Sequence, residues 1–125
     1  MPVRSLHTSV LKWPDRDTVD AAARAWAAAA AAVRPDLQRL GYFGSYATGD
    51  WGVGSDLDLV AVVERSDLPF VARGRSWDLT GLPVPAEILV FTAREWDAVV
   101  ARGDRFARVM STGVRWIWPL PPAAP

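Results

Sequence analysis

The chain has 125 residues, half of them hydrophobic, with 14 basic against 14 acidic side chains and a formal net charge of zero. That length holds one domain and one core, without room for a separate substrate domain. The even charge sets aside nonspecific nucleic-acid binding, and the lack of cysteine sets aside disulfides and thiolate metal sites, which suits a reducing cytoplasm.

No apolar segment followed by a small-residue cleavage site opens the chain, so no signal peptide is expected. Residues 1–14 read as extended up to Pro14, with His7, the single histidine, as a surface residue. Asp17-Thr18-Val19-Asp20 is the expected start of a helix, with acids at the cap and in the first turn. Its apolar stripe is Val19, Ala23, Trp26, Ala30 and Val33, and Pro35 ends it. The alanine-rich part of this segment is too short and too weakly apolar to span a membrane.

Residues 37–43 read as a short strand that delivers the chain to Gly44. A turn over 45–54 follows, with one helical turn at Tyr46-Ala47-Thr48 and then a glycine-rich loop. Residues 57–63 form a strand apolar on both faces beyond the aspartates, hence central. A loop with a short helix near Phe70–Trp77 leads to a strand over Ala86–Phe91. Thr92 and Glu95 make a capping-box pattern at the start of the next helix. A further helix is expected over Asp104–Ser111, an edge strand over Val114–Trp118, and a disordered tail over Pro119–Pro125. The alternation of helices and strands gives an α/β or α+β domain.

The chemistry centres on Gly44-Ser45 and on Asp56-Leu57-Asp58, ten residues later. Alternation along a strand points Asp56 and Asp58 to the same face, with Cα atoms roughly 6.6 Å apart. Carboxylates that close repel unless a cation lies between them, and hard oxygen donors favour magnesium or manganese over zinc. Two such ions about 3.5–4 Å apart would activate a hydroxyl and stabilise the leaving oxygen in a phosphoryl displacement. Glu87, at the start of the next strand, is the candidate third ligand and general base. Gly44 would let a phosphate approach closely, and backbone N–H groups with the Ser45 hydroxyl would bind it. The glycine order matches neither common phosphate loop. Two acids on one strand would lie on the same side of a sugar bond, which sets glycoside hydrolysis aside.

With these residues in hand, the chain resembles the polymerase-beta-like nucleotidyltransferase superfamily, most nearly its minimal nucleotidyltransferase branch. The matching positions are Gly44, Ser45, Ala47, Gly49, Ser55, Asp56, Asp58 and Leu59. The likeness runs from Leu37 to Phe91, and more weakly into Gly103–Arg108. It implies a small mixed β-sheet with helices packed mainly on one side, as one nucleotidyltransferase domain over residues 1–118 with its core at 37–92. It also implies metal-dependent transfer of a nucleoside monophosphate to a hydroxyl, AMP from ATP being the expected case. Asp56, Asp58 and Glu87 would be the metal-binding and catalytic residues, with Gly44 and Ser45 holding the nucleotide. Two positions depart from the family pattern: Thr48 stands where arginine is frequent, and Glu87 where aspartate is usual.

Because the chain is short, the acceptor site would come from a second copy or another protein. The resemblance points to a helical HEPN-domain toxin modified on tyrosine, which would make this chain an antitoxin. The rival readings are an aminoglycoside-like small-molecule nucleotidyltransferase and an inactive module that neutralises its partner by contact. Arg73, Arg75, Arg94, Arg105 and Arg108 could touch phosphate or a partner, though most read as solvated helix face. Seven tryptophans either fill the small core or lie at a surface that a partner covers. Trp51 reads equally as a base-stacking residue or a loop anchor, and Tyr46 as packing beneath the turn.

Overall fold

The computed structural model describes residues 13–119; His7 and the tail beyond Pro119 lie outside them. Helix α1, Arg16–Val33, starts two residues after Pro14. Asp15 is its cap, accepting the Thr18 N–H at 2.8 Å. The cap thus lies two residues before the expected Asp17, which occupies the first turn and favours the dipole there. Asp20, expected in that first turn, reaches across to the sheet: it accepts from the Tyr42 hydroxyl at 2.8 Å and pairs with Arg115, and with Arg24 on its own helix. The buried stripe is Val19, Ala23 and Ala27, whose small side chains bring the helix close to the sheet. Val33, at the expected end of the stripe, is 77% exposed.

The sheet has the order β3-β2-β1-β4, from β1 (Leu37–Phe43), β2 (Leu57–Val63), β3 (Ala86–Thr92) and β4 (Arg115–Trp118). β1 runs antiparallel to β2 and β4, whereas β2 and β3 are parallel. Every β2 residue except Asp58 is buried, as a central strand requires. The remaining helices are α2 (Ser45–Thr48), α3 (Phe70–Arg73) with a 3₁₀ turn at Gly74–Ser76, α4 (Ala93–Ala101) and α5 (Arg105–Thr112). The capping box at Thr92 and Glu95 is formed in full. No helix among the described residues is long and apolar enough to cross a membrane.

The mixed sheet is the expected one, but its helices are not gathered on one side. Leu57, Leu59, Ala61 and Val63 pack with Val19, Ala23 and Ala27 of α1. Val60 and Val62 pack on the opposite face with Trp96 and Val99 of α4 and Met110 of α5. A doubly apolar β2 demands this arrangement, because a bare second face would leave Val60 and Val62 in water.

All seven tryptophans are buried or half-buried, and each packs against one of these two cores. The core-filling reading therefore describes them. Arg73 corrects another expectation. It is 7% exposed, and its guanidinium donates to the carbonyls of Leu68 and Val90 and to both oxygens of Glu95.

Candidate active site

The site lies where β1 ends and β2 and β3 begin. Phe43, the last residue of β1, is the register partner of Asp58, whose other partner across the parallel pair is Glu87. Asp58 shares a face with Val60 and Val62, and Glu87 shares it with Leu89 and Phe91. Adjacent strands lie roughly 4.8 Å apart, so the two carboxylates start from neighbouring backbones on one face. Asp56 is exposed just before β2, and Glu87 is exposed at the start of β3. Asp58 is half-buried between them. Burial first, then the charges of Glu87 and Asp56, raise its carboxyl above the ordinary aspartate range. None of the ion pairs among the described residues involves these three acids.

Gly44 shows why the two sequence elements form one unit. Its φ is +76°, a conformation that an L side chain resists. A Cβ there would also stand 2.5 Å from Oδ2 of Asp58. The space opened by the missing side chain is therefore occupied by the aspartate carboxylate, rather than reserved for a phosphate. Glycine at 44 is what allows Asp58 to stand against the turn.

Beyond Gly44 the chain makes the single turn of α2. Tyr46 is fully buried beneath it, accepts a 2.9 Å hydrogen bond from the Trp13 indole, and stacks on Trp51 at 5.8 Å. Trp51 is thus the anchor of the loop, and Tyr46 packs as expected. Ser55 closes that loop: its Oγ accepts the Gly52 N–H at 2.8 Å, and its own N–H donates to the Gly52 carbonyl at 3.0 Å. This pair of hydrogen bonds between Gly52 and Ser55 delivers the chain to Asp56 at a defined point.

A cavity of about 800 Å³ opens over the turn, lined among others by Gly44, Ser45, Thr48, Arg105 and Arg108. That volume suits a small-molecule ligand. The two arginines were expected mostly on a solvated face. The sequence signal that could have placed them is their i, i+3 spacing on one helix side, shared with Val109 and Thr112.

The oxygen donors match magnesium or manganese in kind. The unneutralised charge around half-buried Asp58 also suits a cation. Among the described residues, however, no three acidic, histidine or cysteine side chains are gathered closely enough to hold an ion as they stand. The structure brings Asp58 against Gly44 and in register with Glu87, and puts Asp56 within electrostatic reach. It does not close the three into one ligand set. Asp56 and Glu87, being exposed, are the two with freedom to turn.

A crystal structure of a candidate nucleotidyltransferase from Sulfolobus solfataricus shares the fold, with a TM-score of 0.56 and 21% identity over 66% of this chain and 75% of that one. No curated protein matches the chain. The family described as the nucleotidyltransferase domain matches residues 32–106, a span that holds the turn at Gly44, the aspartates and Glu87. With more than half of its length inside that match, the chain belongs to the nucleotidyltransferase domain family, the polymerase-beta-like group that its Gly-Ser and Asp-x-Asp elements resemble.

Proposed function

We propose that the chain is a cytoplasmic enzyme that transfers a nucleoside monophosphate, AMP from ATP in the expected case, to a hydroxyl group with the help of a divalent metal. The observation that carries this reading is the Asp58 carboxylate, seated in the space left by Gly44, within electrostatic reach of two further acids and in none of the ion pairs among the described residues. Asp56, Asp58 and Glu87 would hold magnesium or manganese. When bound, the metal would neutralise the phosphate oxygens and favour the ionised acceptor hydroxyl.

The chain's own residues have distinct parts in this scheme. Ser45 and the N–H groups of the turn bind and orient the triphosphate. Asp58, held against the turn, fixes the distance between phosphate binding and metal binding. Glu87, exposed at the start of β3, accepts the proton of the acceptor hydroxyl. The hydroxyl oxygen bonds to the α-phosphorus, the bond to the bridging β-phosphate oxygen breaks, and pyrophosphate leaves.

The acceptor we favour is a tyrosine on a HEPN-domain partner, with this chain as the antitoxin; a second copy of the chain is the other candidate source of an acceptor site. The support is size: one four-stranded sheet and its helices leave no second domain for an acceptor among the described residues. The acids' failure to close into a ligand set favours a second reading, a module that neutralises its partner by contact alone. A thermal-shift titration with each nucleoside triphosphate, with and without magnesium, separates the two when run on wild type and on Asp58→Asn. A magnesium-dependent rise with one triphosphate, absent in the variant, supports transfer; at a hundredfold excess over Kd the rise corresponds to about 2.7 kcal/mol. No rise with any nucleotide supports the contact module.

A further inference from the structure

We infer that Arg105 and Arg108 of α5 are the residues that bind the β- and γ-phosphates, so that a nucleoside triphosphate is held between the Ser45 turn and α5. The inference rests on the nucleotide reading above and extends it to a helix to which that reading assigns no part. The turn over residues 44–50 carries no basic side chain, and its single charge is the Asp50 carboxylate, which accepts from the Thr48 hydroxyl at 2.9 Å. That wall offers a polyanion N–H and hydroxyl donors but no positive side chain. The facing wall supplies the cations: Arg105 and Arg108 line the same cavity as Gly44 and Ser45.

Both guanidiniums are uncommitted among the described residues. None of the ion pairs among the described residues uses either, and Arg108 makes only a long 3.4 Å bond to the Gly103 carbonyl. Arg102, by contrast, is paired with Asp104 at 3.0 Å and is not among the residues lining the cavity. The helix presenting the two arginines is itself held firmly. Asp104 caps it by accepting the Ala107 N–H at 2.8 Å, and Ala107 and Met110 are buried on its inner side. Planar guanidiniums on a fixed helix face suit bidentate binding of phosphate oxygens. They reward the number of phosphates rather than the identity of the base, so α5 would set the preference for triphosphate over monophosphate.

Calorimetric titration with inorganic tripolyphosphate, magnesium-ATP and AMP at fixed ionic strength tests this on the full chain. Arg105→Ala and Arg108→Ala should each weaken tripolyphosphate and ATP by about tenfold, and leave AMP within about twofold. Arg75→Ala, an exposed arginine away from the cavity, should change none of the three. Arg105→Lys and Arg108→Lys should recover part of the loss. Melting curves establish that each variant is folded, which their exposed positions lead us to expect. Wild-type binding that survives undiminished in both alanine variants overturns this inference and leaves the nucleotide reading standing. A wild type that binds none of the three probes overturns both.

Discussion

The two ends of β3 treat carboxylates in opposite ways. Where the strand ends and α4 begins, Glu95 accepts from Arg73 and from the Thr92 N–H, and its carboxyl is pushed down to about 2. Where it begins, Glu87 and its register partner Asp58 have no cation among the described residues, and Asp58 is raised instead. The chain can balance a carboxylate with a buried arginine and does so at one end. Leaving Asp58 unbalanced at the other end costs stability, and on the proposed reading keeps a place for a cation from outside. On that reading the balanced end serves the fold and the unbalanced end the chemistry.

Asp58→Asn is the sharpest test of that division. Nucleotidyl transfer should fall by about a hundredfold or more, read with labelled triphosphate and the acceptor partner. Without metal, thermal stability should hold or rise, because the change removes a disfavoured charge. A variant that loses both activity and stability would break the comparison, since it would make Asp58 a structural residue like Glu95.

Arg73→Ala probes the other end. It leaves the Leu68 and Val90 carbonyls without their donor and takes the partner from Glu95. We expect a loss of about 1–3 kcal/mol in urea unfolding, with nucleotide affinity unchanged. Gly44→Ala joins the two questions. The new methyl would meet the Asp58 carboxylate in a backbone region that alanine avoids, at a cost of about 1–3 kcal/mol. The part due to the carboxylate contact should disappear in the Gly44→Ala/Asp58→Gly double variant, because the colliding group is then gone, while the backbone part should remain. Simple additivity would mean that the strain is in the backbone alone.

Local patterns made most of the elements readable from the sequence. The apolar run of β2, the Thr92–Glu95 box and the spacing of Gly44 from Asp58 each have a short-range cause. What stayed hidden depends on tertiary neighbours. Nothing near Arg73 in sequence indicates Glu95 across the domain, so a buried clamp resembles any exposed arginine. The Asp15 cap lost to Asp17 on paper because either aspartate can serve; the break at Pro14 decides it. The reason for glycine at 44 was also misread. Its close neighbour is a carboxylate fourteen residues ahead in sequence, which only the β1–β2 register brings near.

The smallest effect is a matter of pH, and it has opposite signs at the two ends. Glu95 has a lowered folded pKa, so its stabilisation is complete above the ordinary glutamate range and fades as pH falls toward about 2. Asp58 has a raised folded pKa, so the native state holds its proton more tightly than the unfolded chain does. Its ionisation therefore erodes stability as pH rises from the ordinary aspartate range through the raised value. Denaturation curves taken across mildly acidic pH should show the Asp58 limb in wild type and lose it in Asp58→Asn. The Glu95 limb at lower pH should survive in that variant and vanish in Glu95→Gln. Magnesium added in the mildly acidic range should flatten only the Asp58 limb, because a cation beside the three acids removes the repulsion that creates it. If magnesium leaves that limb unchanged, the acids do not hold the metal, and the unbalanced end would need another explanation.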